Sequence, residues 1–417
     1  MRRRRVKLAV ACAVGALIAI ILITGGTERE GPPIPRPPAS APAFLDSVGV
    51  AMHLAYLDTS YANQPKVLAL LRELGVRHVR EGVPVYSPAL ANGLRDVARL
   101  GIGATLVTDL RVPPRLGVRA ATRVMGPRLD GIEGPNELDQ SDPPNWRPRL
   151  GRYMRALRES IERSRRPPAL VGPSFVDASY YSLISTREYD VASLHIYPGA
   201  QPPEQPLSAG IDRGHVVAPG RTIEVTETGY HNALSANTGQ PPASEAAAAA
   251  YLPRALLASF AAGARRTFIY ELLDEKPDPS LVDPEKHFGL VRRDFSPKPA
   301  FRAVRNLLAA VGRSPGPAPA PAPAPSISAR SPVERLVLTR PDRSLVVAVW
   351  RPASVWDVIR RAPVDPGSVP VTISWKRPAL NLAVSRPTIS GRPVMRLGST
   401  DHMSLELRGD VVLLSYH

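Results

Sequence analysis

Between Phe44 and Gly312 short apolar runs alternate with stretches of helical period, and the alternation repeats eight times. VGVAM precedes PKVLALLRELG, VRHVR precedes SPALANGLRDVARLG, and IGATLV precedes RAATRVM. DGIEG, ALVGPSF, YDVASLHIY, TIEVTETG and RRTFIYELL supply the other five strand candidates. Gly75, Gly101 and Gly263 stand where helices should stop before the next strand. Parallel strands need a crossover of roughly a dozen residues or more, so this order predicts a parallel sheet covered by helices. Eight such units in roughly 250 residues is the expectation for a (β/α)8 barrel. The alternative is a doubly wound open sheet, whose dinucleotide-binding form would place GxGxxG after the first strand; GVAMHLAYLDTSY lacks it.

Proline marks the boundaries. The chain holds 47 prolines in 417 residues, about twice the usual share of roughly 5%. Much of the excess lies in GPPIPRPPASAPA (31–43) and SPGPAPAPAPAPS (314–326). The first reads as a stiff spacer unable to form helix or ladder, closing a spacer region over 27–43. The second lies in a linker over 313–326 that separates the barrel, 44–312, from a tail, 327–417. In the tail ERLVLTR, SLVVAVW, VPVTISW, LNLAVS, MSLELR and VVLLSY are short alternating or apolar runs between turn residues. That pattern predicts an antiparallel β-sandwich, expected to brace the barrel.

Residues 1–26 read as a targeting segment: Arg2 to Arg5 and Lys7 precede an uncharged run from Leu8 to Thr24. With no small-x-small cleavage site close behind, the segment is expected to be an uncleaved transmembrane signal anchor. Its basic flank should stay cytoplasmic, which exports the body to the outer side of the cell membrane, or into the medium if the segment is cut. The same five charges account for part of the net +16. Only six of the 53 basic residues are lysines, and no long basic block follows, so nucleic acid is not expected as a partner. Cys12 is the single cysteine, which excludes a disulfide framework and a cysteine zinc site. No metal or cofactor is expected, since HxH and HExxH are absent. The sequence leaves the oligomeric state open.

Barrel chemistry sits at the C-terminal ends of strands. His53 follows the first strand, Arg80 and Glu81 close the second, and Asn136 and Glu137 follow the fourth in EGPNELD. His195 and Tyr197 close the sixth, Glu227 the seventh in EVTETGY, and Tyr270 with Glu271 the eighth. Carboxylates at the fourth and seventh ends face each other across a barrel mouth, as a retaining glycosidase requires at ~5 to 5.5 Å. Arg80 and His195 are expected to keep Glu227 ionised while Glu137 keeps its proton in a less polar spot. Glu224, three residues before Glu227, is expected on the opposite strand face as an ion-pair partner. Glu271 reads as a barrel brace, and the acidic loop Asp274, Glu275, Asp278, Asp283, Glu285 as a solvated lid rather than a calcium loop.

At these motifs the sequence resembles the clan of retaining glycoside hydrolases with an Asn-Glu acid/base on strand 4 and a Glu nucleophile on strand 7. It is most similar to the family 39 group with an appended β-sandwich, and FGLVRRDFSPKPAFRAV extends the likeness past strand 8. The resemblance implies an O-glycosyl hydrolase acting on carbohydrate, with Glu137 as acid/base and Glu227 as nucleophile, which the expected anchor would tether to the membrane. Asn136, Arg80, His53, His195 and Tyr197 would support them. Many relatives place a tryptophan at the end of strand 8, where this chain has Tyr270, so Tyr56, Tyr86, Tyr197, Tyr230 and Tyr270 would supply the aromatic faces for sugar. The alternative reading is a catalytically silent carbohydrate-binding or cell-envelope protein on the same barrel.

Overall fold

A computed structural model describes residues 38–314 and 324–417. The expected anchor, the spacer up to residue 37 and residues 315–323 of the linker lie outside the described residues. Among the described residues no helix is long and apolar enough to cross a membrane.

Eight parallel strands close into a barrel: Val48–Ala51, His78–Gly82, Gly103–Val107, Leu129–Glu133, Ala169–Val171, Val191–His195, Thr222–Thr228 and Arg266–Ile269. Val48 to Val50 pair with Thr267 to Ile269, so the first strand meets the eighth. Strands of a barrel are covered on both faces, which is why they read as apolar runs rather than as alternations. Helices start where a side chain can hold an orphan backbone amide: Ser87 accepts from Leu90 N and Ser244 from Ala247 N. Gly75, at φ 79°, ends the helix Gln64–Leu74. The helix Glu204–Val217, between the sixth and seventh strands, has no counterpart in the sequence reading. Pro206, Gly210 and Gly214 dilute its apolar stripe, yet the two glycines let it close on the sheet. A Cβ at Gly214 would lie 2.5 Å from Leu194 Cδ1, and one at Gly210 would lie 2.7 Å from Ile196 Cδ1.

The tail forms a mostly antiparallel sheet from Ser326–Ala329, Glu334–Thr339, Leu345–Trp350, Val369–Ser385, Met395–Leu407 and Val412–Tyr416. It wraps a core of its own that includes Val347, Val349, Ile373, Trp375, Leu382 and Leu414. Leu336, Leu338, Val346, Ala348 and Trp350 instead join the cluster that holds the barrel's Phe44 and Phe301. Alternate residues of Leu345–Trp350 thus serve two cores, and the whole strand is buried.

One boundary differs from the sequence reading. Ala39–Ser40 pair in parallel with Leu338–Thr339, and Ala41–Asp46 form a helix, so the spacer does not extend to residue 43. Ser40 caps this helix through Ala43 N, and Pro42 falls in its first turn, where a missing N–H breaks no hydrogen bond. Proline clusters exclude helix interiors; they do not exclude helix starts.

Arg254 ties barrel to tail. It is fully buried in the helix Glu245–Ala261 and gives Nε and Nη2 to Glu204 at 2.7 and 2.8 Å. Its Nη1 reaches the carbonyls of Ala353 and Gly409 at 2.8 and 3.0 Å. Trp350 Nε1 donates to the same Glu204 at 2.9 Å. Removing this cation strands a carboxylate and two carbonyls, so Arg254→Ala is expected to destabilise the chain by ~3 kcal/mol. A lower urea midpoint by tryptophan fluorescence is the expected reading, and an unchanged midpoint would refute the role.

Candidate active site

Arg80 leaves the second strand and lies in the barrel interior. Its Nε and Nη2 clasp Glu133 of the fourth strand at 2.7 and 2.9 Å, and Nη1 donates to Glu227 Oε1 at 2.5 Å. Nη2 also donates to Asn136 Oδ1 at 2.7 Å, an oxygen that accepts Ser174 Oγ at 3.0 Å as well. The other Glu227 oxygen, Oε2, accepts the Tyr197 hydroxyl at 2.7 Å. His195 Nδ1 lies 2.6 Å from Glu137 Oε1 and 3.5 Å from Glu227 Oε2. One ligand atom each of Glu137, His195 and Glu227 all lie within 4.8 Å of one another. The structure therefore gathers Arg80, Asn136, Glu137, His195, Tyr197 and Glu227 around one space.

Local backbone features make this gathering possible. In the seventh strand the register shifts between Leu194/Val225 and His195/Glu227, the mark of a bulge. The bulge reverses the alternation and turns Glu227 inward. Glu224 consequently faces the same interior, contrary to the opposite face expected from the odd spacing. It sits at the other end of the barrel, fully buried, 2.7 Å from Arg265 and 3.5 Å from Arg266, which in turn reaches His78 and Asp130. Glu137 holds a left-handed backbone, φ 41°, at the start of the short helix Leu138–Ser141. Strain of that kind persists where surrounding contacts fix it, here the Glu137 N to Ser174 O bond. Gly229 follows the seventh strand because a Cβ there would lie 2.2 Å from the Tyr270 carbonyl oxygen. The Tyr270–Glu271 peptide is cis.

Charge is distributed unevenly over the site. Burial alone would raise the Glu227 pKa, but His195, Arg80 and the Tyr197 hydroxyl more than offset it and hold the carboxyl below the usual range. Burial disfavours the His195 cation, yet Glu227 and Glu137 raise its pKa overall. His53 stacks on Tyr56 at 4.7 Å with Nε2 3.5 Å from Glu271, and burial lowers it to about 4. Tyr270 lies edge-on to His53, 5.7 Å between centroids, and gives its hydroxyl to Glu285.

Some expected and unexpected residues differ. Tyr230 is not part of the group: its hydroxyl donates to the Gln201 carbonyl and its ring packs on Tyr251. As the residue after Gly229 it is carried past the mouth and buried toward the helix Glu245–Ala261. The loop after the eighth strand is solvated only in part, with Lys276, Pro277, Pro279, Ser280 and Val282 exposed. Asp274 is buried on Lys298, and Glu285 turns toward the two carboxylates. Glu133 and Ser193 were not among the sequence candidates; Ser193 Oγ donates to Glu133 at 2.9 Å. Their signal was available in the two-residue alternation that places Ser193 with His195. Glu271 is fully buried and accepts Tyr61 Oη at 2.9 Å.

The buried acids set a pH dependence. Burial raises Glu81 to about 8 and Glu275 and Glu285 to about 7, from the ordinary 4.5. The folded chain keeps protons that the unfolded chain gives up, so their contribution to stability is complete below about pH 4.5 and is lost as pH rises through 7 and 8. His53 and His231, each depressed to about 4 by burial, act oppositely and cost stability as pH falls below 6.5. With three acids against these two histidines, the thermal midpoint is expected to fall between about pH 5 and pH 8. A differential scanning fluorimetry series showing a rise over that span would contradict the assignment.

No protein-family model matches the sequence, and neither does any curated protein. Solved structures do resemble the fold. A family 39 glycoside hydrolase from the gut symbiont Bacteroides cellulosilyticus superposes with a TM-score of 0.64 at 15% identity, covering 91% of this chain and 83% of that one. The family 39 enzyme from Xanthomonas axonopodis pv. citri gives 0.59 at 14% identity, over 89% of this chain and 94% of that one. A monomeric β-xylosidase from Caulobacter crescentus gives 0.56 at 12% identity, over 91% and 97%. At such identities the likeness concerns architecture, and the chain has the barrel-plus-sheet fold of these glycoside hydrolases.

Proposed function

We propose that the protein is an exported, membrane-tethered retaining glycoside hydrolase acting on a β-linked glycan or glycoside. The observation that supports this most is the separation of Glu137 and Glu227, whose facing oxygens come within 4.8 Å. An inverting pair needs ~6.5 Å or more to admit a water between carboxylate and sugar.

Glu227, ionised and fixed by Arg80 and Tyr197, attacks the anomeric carbon as the glycosidic C–O bond breaks. Glu137 gives its proton to the departing oxygen, and the 2.6 Å contact with His195 Nδ1 holds it in place. Glu137, now a carboxylate, takes a proton from water, which attacks the anomeric carbon and frees Glu227. Asn136 accepts two hydrogen bonds at Oδ1, which leaves its Nδ2 donor for the sugar 2-hydroxyl. The alternative of a silent carbohydrate-binding protein is less well supported, because both carboxylates and their partners are in place.

Glu227→Ala is expected to abolish turnover of aryl β-glycosides, and azide should restore it with inverted product. Glu137→Ala should slow substrates with poor leaving groups by roughly 10² to 10⁴-fold. Full activity in Glu227→Ala would remove the nucleophile assignment. Tethering rests on residues 1–26 alone. The full chain should sediment with membranes and deletion of 1–26 should release it; a full chain in the soluble fraction counts against the anchor.

A further inference from the structure

The loop after the eighth strand is knitted into one shape. Asp278 Oδ2 accepts Val282 N and Asp283 N, each at 2.8 Å, and Asp283 Oδ1 accepts Glu285 N at 3.2 Å. With Pro284 buried, the short turn Pro284–Lys286 holds the Glu285 carboxylate inward, where Oε2 takes the Tyr270 hydroxyl at 3.2 Å. Tyr270 lies against Tyr197, 6.4 Å between centroids, the ring whose hydroxyl holds Glu227. Glu275 lies by His53, whose ring meets Tyr270 edge-on, with ligand atoms of His53, Glu271 and Glu275 within 4.8 Å of one another. Glu271 is fully buried with Oε1 lacking a hydrogen-bond partner.

Four cations around the mouth are held by carboxylates of the chain itself. Arg80 is shared by Glu133 and Glu227, Lys298 lies on Asp274, Lys276 on Asp58 and Lys286 on Asp283. A chain of net charge +16 thus presents carboxylates at its mouth.

We propose that Glu285 and Glu275 make this site selective by charge, admitting glycosides of neutral sugars and turning away uronic acids. This rests on the glycosidase reading and names the substrate class for it. A uronate carboxylate would enter a space lined by carboxylates, beside an Arg80 already shared by two of them, and that repulsion opposes both binding and the transition state. Glu285 is pushed up to about 7 by burial and then by Glu227, Glu137 and Asp283, with the Tyr270 hydroxyl opposing. Glu275 reaches about 7 by burial, with Glu285, Asp58 and Asp283 raising it further and Lys276 lowering it. Discrimination therefore strengthens as pH rises through neutrality.

The test uses the full chain in detergent, a panel of neutral aryl β-glycosides and the matching aryl β-glucuronide, at about pH 5.5 and 8. The best neutral substrate should exceed the glucuronide in kcat/KM by roughly a hundredfold at the higher pH, and by less at the lower. Glu285→Gln and Glu275→Gln should each reduce that ratio by roughly tenfold. A glucuronide cleaved as fast as the best neutral glycoside at pH 8, or a ratio unmoved in both variants, overturns the proposal. If no aryl glycoside is cleaved, the glycosidase reading fails, and calorimetric titration with neutral and glucuronate-bearing oligosaccharides decides this one. Preference for the neutral ligand upholds it; tighter uronate binding, or binding of neither, overturns it.

Discussion

One guanidinium holds three strands of the barrel in a single arrangement. Arg80 from the second strand clasps Glu133 at the end of the fourth, steadies Asn136 just beyond it and grips Glu227 on the seventh. Burying a cation with two carboxylates carries a large desolvation cost, and apolar residues of similar volume would often stabilise a core as well. What the ions provide is direction. The planar fork places each oxygen at a fixed angle, which a lysine ammonium cannot do. With Oε1 of Glu227 on Arg80 and Oε2 on Tyr197, the carboxylate has no freedom to rotate.

The surrounding backbone departs from regular geometry where this arrangement needs it. A bulge in the seventh strand brings Glu227 inward, a left-handed residue presents Glu137, and Gly229 makes room for the Tyr270 carbonyl. Each costs some stability that a regular barrel would keep. The opposite end of the barrel is organised differently: His78, Asp130, Glu224 and Arg266 form an ion network that closes the floor. Function and closure thus occupy separate ends of the same eight strands.

The tail acts through packing. Helix Glu245–Ala261 is apolar nearly all round because the barrel covers one side and the tail the other, with Arg254 as the polar link between them. Trp356 Nε1 donates to the Pro242 carbonyl, and Arg361 to those of Leu234 and Ala236, so tail side chains also hold the loop that leaves the seventh strand. The sheet therefore reaches the frame of the site without contributing to its chemistry.

The order of strands and helices, the strand ends that bear Glu137 and Glu227, and the antiparallel tail were legible in the chain, because period and punctuation are local properties of sequence. Glu204–Val217 was not legible because Pro206, Gly210 and Gly214 thin its buried apolar stripe to Leu207 and Ile211. The facing of Glu224, the displacement of Tyr230 and the inward turn of Glu285 depended on a bulge, a loop path and a hydrogen-bonded turn. Those features arise when distant strands adopt a common register. Sequence alone thus determined which groups could meet at the barrel mouth. Tertiary structure decided which of them did, because a side chain's direction in a closed barrel is set by its neighbours' register rather than by its own position.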